Sequence, residues 1–83
     1  MTDDVDDVVT NAWREVLERA DIDRDADFFE LGGDSLKVVR VVARVEEALG
    51  VELSVRVLLE SRTPAGMIER VRAVLAGSGT PTG

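Results

Sequence analysis

One stretch holds the side chains that could do chemistry: Asp27-Phe28-Phe29-Glu30-Leu31-Gly32-Gly33-Asp34-Ser35-Leu36. Two aromatics and a leucine lead into a double glycine, and Ser35 then opens the longest apolar-rich segment of the chain. Glycine takes backbone conformations closed to other residues, and without side chains Gly32 and Gly33 leave the approach to Ser35 uncovered. A helix that begins at Ser35 aims unsatisfied backbone N–H groups and the positive end of its dipole at the space beside the serine oxygen. An uncovered hydroxyl in that setting suits a phosphate ester. The chemistry expected is attachment of a phosphate-bearing group to Ser35.

Two other readings of the serine are weaker. A serine at a helix start is by base rate an N-cap, but capping does not account for the aromatic pair, leucine, double glycine and serine arriving together. Gly33-Asp34-Ser35-Leu36 also spells the nucleophile motif of a class of esterases and lipases. A serine nucleophile needs a base, those enzymes use histidine, and the chain has none. Lys37 is the only lysine, and its place among outward basic residues gives it no reason to be neutral. No strand is predicted before the serine, so hydrolysis is excluded and no catalytic residue is assigned. A plain helical interaction module would use the same amphipathic helices but leaves Gly32-Gly33-Asp34-Ser35 unexplained.

The elements that position the serine must come from one small domain, since 83 residues allow a single modest core. Apolar residues make up 45% and charged residues 33%, which suits a soluble globular fold. The net charge of −7 repels nucleic acid and anionic lipid, and no basic run offsets it. Basic protein partners fit better. Without cysteine there is neither a disulfide framework nor a thiolate metal site. No apolar run approaches a membrane span, and the acidic N-terminus lacks a signal-peptide pattern. A cytoplasmic monomer without a metal is expected.

Apolar residues at Val5, Val8, Val9, Ala12, Trp13, Val16 and Leu17 share one stripe of a first helix, with Trp13 in the core. Asp3, Asp4, Asp6 and Asp7 at its start oppose the positive dipole end, a better account of them than a metal site. The aspartates between Ala20 and Asp27 lack the glycine and terminal glutamate of a calcium loop and read as a solvated connection. At least two of Phe28, Phe29 and Leu31 should fold back onto the bundle. A second helix runs from about Ser35 to Leu49 and is closed by Gly50. Val38, Val41, Val42, Val45, Ala48 and Leu49 share its core face, and Lys37, Arg40, Arg44 and Glu47 the opposite one. Leu36, Val39 and Ala43 form a narrow apolar stripe beginning next to Ser35, either a widened core face or a partner-binding surface. Ser54 offers a cap for a short third helix over about Val55 to Glu60, with more apolar residues than it can bury. Thr63-Pro64 starts a fourth helix with Met67, Ile68, Val71, Val74 and Leu75 on one stripe, ending near Ala76. Gly66 weakens its first turn, by about 1 kcal/mol relative to alanine.

The stretch from Asp27 to Leu36 closely resembles the attachment motif of peptidyl carrier (thiolation) domains of nonribosomal peptide synthetases. The resemblance extends from about Asp4 to Ala76. It implies an all-α, right-handed, antiparallel-type four-helix bundle of the acyl-carrier type, with a long first loop and a short third helix. It implies a carrier domain over residues 1–76, a flexible tail over 77–83, and a non-catalytic role. The serine matching Ser35 would take 4′-phosphopantetheine from coenzyme A, with Gly33, Asp34 and Leu36 around it, and the arm's thiol would hold an amino acid or peptide as a thioester. The partners implied are a phosphopantetheinyl transferase, an adenylation enzyme, and condensation, tailoring or thioesterase enzymes. Their contacts would fall on Leu36, Val39, Arg40, Ala43, Val57 and Leu58. Fatty-acid and polyketide carriers usually lack the double aromatic and double glycine and often have a strongly acidic second helix. The peptide-synthetase type is therefore expected over a carrier of a polyketide or hybrid pathway. Ser54, where the family often has proline, is a mild departure. A discrete carrier is expected rather than an excised domain.

Overall fold

The stripe Val9, Ala12, Trp13, Val16 and Leu17 is buried along one side of a first helix, with Val5 and Val8 packed partly against the same core. The computed structural model describes residues 4–77 and contains α1 (Asp4–Leu17), α2 (Ser35–Leu49), α3 (Arg56–Leu59) and α4 (Pro64–Leu75). Asp3 and the tail from Ser78 onward lie outside the described residues. α1 packs on α2 and on α4, and the short α3 bridges α2 and α4. The apolar faces meet around Trp13, Phe28, Leu58 and Met67, all fully buried. The indole Nε1–H of Trp13 finds a partner in that interior, donating to Met67 Sδ at 3.3 Å.

Local chemistry sets the helix ends. Asp34 caps α2, its Oδ1 accepting from the Lys37 N–H at 2.9 Å. Gly50 closes the same helix in a left-handed conformation at φ 69°, as expected of a glycine there. Thr63 caps α4 through Gly66 N–H to its Oγ1 at 3.1 Å, with Pro64 at the first helical position. Gly66 also has a packing reason, since a Cβ there would come within 2.8 Å of Ser61 Cβ.

Several expected faces are rearranged. Ala48 is exposed rather than in the core; a shallow furrow runs there between Val8 and Ala12 of α1 and Arg44 and Ala48 of α2. Val74 and Leu75 are also partly exposed, at 37% and 42%, since they fall in the last turn of α4, beyond its buried residues. α3 begins one residue later than predicted, with Ser54 Oγ accepting from Arg56 N–H at 3.1 Å from just outside the turn. Val57 and Leu58, expected on the partner side, are buried, Leu58 completely. A single turn directs only part of its circumference outward, and Leu59, 42% exposed, takes that place. Asp6 does more than face the dipole: its carboxylate pairs with Arg24 of the first loop at 3.1 Å.

Candidate attachment site

The first loop, residues 18–34, reaches the serine through a series of turns. Phe28 is fully buried, edge-on to Trp13 with ring centroids 4.9 Å apart and edge-on to Phe29 at 5.5 Å. Phe29 and Leu31 pack partly against the same core, so all three apolar residues of the motif fold back. Leu31 N–H donates to the carbonyls of Asp27 and Phe28, Gly32 N–H to Phe29, and Gly33 N–H to Phe28 at 3.1 Å. Gly32 sits at φ 99°, where a side chain would be strained. The two glycines are therefore required for different reasons. A Cβ on Gly33 would overlap Cδ2 and Cε2 of Phe28 and lie 2.8 Å from the Phe28 carbonyl oxygen. The space it keeps clear lies toward the anchored ring, not only toward an incoming enzyme.

Ser35 follows as the first residue of α2 and is exposed. Because Asp34 supplies the cap, the Ser35 hydroxyl is not used for it and makes no hydrogen bond among the described residues. The N–H groups of Ser35 and Leu36 likewise have no protein acceptor at this helix start. Lys37 does not extend outward; its Nζ lies 3.4 Å from the Gly32 carbonyl, and Arg19 Nε donates to the Leu31 carbonyl at 3.3 Å. An accessible hydroxyl and two open N–H donors at a helix start fit a serine phosphodiester.

The stripe beginning at Leu36 does not join the core. Leu36 is 64% and Val39 52% exposed, and Ala43 is exposed, while Val38, Val41, Val42 and Val45 are buried on the other side of the helix. Arg40 is exposed beside the stripe and makes no ion pair among the described residues, whereas Arg44 is tied to Glu15 of α1 at 2.6 Å. Leu36, Val39, Arg40 and Ala43 thus lie on the outer side of α2, running away from Ser35.

The family described as phosphopantetheine attachment site matches residues 7–71. The chain belongs to that family. This carrier is similar to BlmI, a type-II acyl carrier protein from Streptomyces verticillus involved in bleomycin biosynthesis, with 42% identity, a TM-score of 0.83 and 87% of each chain covered. It is also similar to a chain in the complex of the phosphopantetheine transferase Sfp with coenzyme A and a peptidyl carrier protein, with 30% identity, a TM-score of 0.77, and 88% of this chain and 95% of that one covered. The dimodular nonribosomal peptide synthase of Bacillus subtilis is 42% identical over 66 residues, 80% of this chain and 3% of that protein. Phosphinothricin tripeptide synthetase PhsB of Streptomyces viridochromogenes is 39% identical over 82 residues, 94% of this chain and 7% of that protein. The carrier therefore spans a small fraction of those synthetases. It has the four-helix acyl-carrier fold, is a carrier of the nonribosomal-peptide type, and its family holds 4′-phosphopantetheine. No helix among the described residues is long and apolar enough to cross a membrane.

Sequence reasoning gave Asp27 no role beyond its place in the motif and missed Arg62 altogether. Asp27 Oδ2 accepts from the N–H groups of Phe29 at 3.0 Å and Glu30 at 3.2 Å, a local turn pattern that aspartate signals. Arg62 lies 35 residues further along, and no short-range spacing points to it.

Proposed function

We propose that this protein holds an amino acid or peptide as a thioester on a 4′-phosphopantetheine arm joined to Ser35 Oγ, and presents it to successive enzymes of peptide assembly. The observation that carries the reading is the Ser35 hydroxyl, exposed at the first position of α2 and released from capping by Asp34. The arm supplies a terminal thiol that holds the cargo. Gly33 seats the loop on Phe28, Asp34 fixes the helix start, and the open N–H groups of Ser35 and Leu36 would be available to the phosphate. A phosphopantetheinyl transferase would install the arm and an adenylation enzyme would load it. Condensation, tailoring or thioesterase enzymes would unload it. Leu36, Val39, Arg40 and Ala43 would form the docking side, with Leu59 in place of Val57 and Leu58. The furrow near Ala48 is shallow and lies at the opposite end of α2 from Ser35, which fits a carrier whose cargo is chosen by its partners.

Intact mass after incubation with coenzyme A and a broad-specificity phosphopantetheinyl transferase tests this. The parent protein should gain the arm and Ser35→Ala should not, with Ser54, Ser61 and Ser78 unchanged. The alanine variant should melt at the parent temperature, since the hydroxyl it removes makes no bond. Gain of the arm by Ser35→Ala would reject the assignment.

A further inference from the structure

Arg62 lies in the connection between α3 and α4, yet it grips the middle of the first loop, where the motif begins. Its Nε donates to Asp27 Oδ1 at 2.7 Å and its Nη2 to Asp27 Oδ2 at 3.2 Å. The guanidinium carbon stands 5.1 Å from the centroid of the Phe29 ring. The Arg62 carbonyl accepts from the Phe28 N–H at 2.8 Å. One residue therefore holds three consecutive residues of the motif from outside it. From Asp27 the hydrogen-bonded turns run through Leu31 and Gly32 to Gly33, which is followed directly in the chain by the Asp34 cap and Ser35.

Two features make this a positioning contact more than a source of stability. The Arg62 side chain is 53% exposed and that of Asp27 22%, and ion pairs open to solvent add little to folding. Arg62 also sits at φ 62°, a left-handed conformation unfavourable for an arginine, and no glycine replaces it. A bidentate fork contributes direction, because both N–H groups must meet both oxygens at once.

We propose that Arg62 is a positioning residue for modification of Ser35: it clamps Asp27 and Phe29 so that the loop delivers the serine hydroxyl in the orientation the transferase requires. The clamp rests on the reading of Ser35 as the attachment site. It acts through the loop and does not touch the reacting atoms.

The test uses the unmodified carrier, coenzyme A and a phosphopantetheinyl transferase, with initial rates measured against carrier concentration. Arg62→Gly removes the guanidinium while allowing the left-handed backbone. Relief of that strain and the added freedom of the unfolded chain oppose each other, so its melting temperature should stay near that of the parent. Its kcat/KM for the carrier should fall about fivefold to tenfold, as a misplaced reacting group requires. Arg62→Lys keeps the charge without the fork and should recover part of the loss. The amide resonances of Gly32, Gly33 and Ser35 should shift in Arg62→Gly. An unchanged kcat/KM in a folded Arg62→Gly overturns the proposal. Should that variant melt early, Arg62→Lys and Asp27→Asn decide: reduced kcat/KM at unchanged melting temperature supports the clamp, and rates that merely follow melting temperature overturn it. Mapping the added mass to its peptide separates the two readings. Mass on another residue rejects Ser35 itself, whereas mass on Ser35 with parental rates in Arg62→Gly rejects only the clamp.

Discussion

Ser35 and its neighbours divide the work so that the residue proposed for attachment has no structural duty. Asp34 holds the helix start, and replacing it by alanine leaves the Lys37 N–H without its acceptor. Loss of such a cap costs about 1 kcal/mol, so Asp34→Ala should melt a few degrees lower while keeping its helical spectrum. Modification of that variant should slow, because Ser35 then lies in a fraying first turn; parental stability and rate together would show that the cap is dispensable. Gly33 faces a harder constraint. Phe28 is fully buried against Trp13 and cannot yield to a new methyl group. Gly33→Ala is expected to lose about 1–3 kcal/mol in a denaturant melt, the range for overpacking a filled site. Gly33→Val should lose more, so slower modification in the valine variant would reflect damage to the loop as well as a blocked approach. An unchanged unfolding midpoint for Gly33→Ala would mean that the loop backbone shifts freely.

At the level of elements, the first loop depends on a contact that titrates. Hydrogen bonding from Arg62 holds the Asp27 carboxyl below its usual range; burial opposes this, and the Glu30 and Phe29 N–H groups and the arginine charge add to it. A carboxyl depressed in the folded state stabilises fold and loop above its unfolded value, and that contribution is lost as pH falls through the lower folded value. The clamp is therefore complete at neutral pH and opens only in acid, below the ordinary aspartate value of about 3.9. A carboxyl-carbon titration should place the Asp27 midpoint below that value in the parent and higher in Arg62→Gly; equal midpoints would deny the interaction in solution. The sequence could not announce this clamp, since the hydrogen-bonded side chains are 35 residues apart and helical periodicity says nothing about such pairs. What periodicity does report, it reported well for Val38, Val41, Val42 and Val45, which lie inside; for Leu36 and Val39 it left two readings open, and the structure places them outside. It failed for Val57 and Leu58 because α3 offers only four residues from which to read a face. It failed for Ala48, Val74 and Leu75, in the last turns of α2 and α4, because a stripe does not reveal how far along a helix the packing extends. Trp13 and the two phenylalanines were legible as core anchors because large aromatics have few alternative uses, whereas the glycine-serine stretch was read from the conjunction of its residues.

The whole molecule presents a strongly acidic surface, with a net charge of −7, against which the outer side of α2 stands out. Of its three cations, Lys37 is turned back to the Gly32 carbonyl and Arg44 is paired with Glu15, so Arg40 alone has no partner among the described residues. It stands beside Leu36 and Val39, the exposed apolar side chains that lead away from Ser35. An enzyme that must reach Ser35 and release the carrier afterwards would find here a small apolar centre with one charge at its rim. The centre and the rim should respond differently to mutation. Val39→Asp places a charge where apolar contact is needed and should weaken productive binding to a loading enzyme by about 1–3 kcal/mol, as for a central interface residue. Since Val39 is outside the core, its melting temperature should hardly move. Arg40→Glu should act mainly on the association rate, and its effect should shrink as salt shortens the Debye length from about 10 Å at 0.1 M toward about 3 Å at 1 M. Stopped-flow association at several salt concentrations, with KM for the carrier measured in parallel, separates the two. Equal salt dependence for both variants would move the docking side off α2, toward Leu59 and the loop before Ser35.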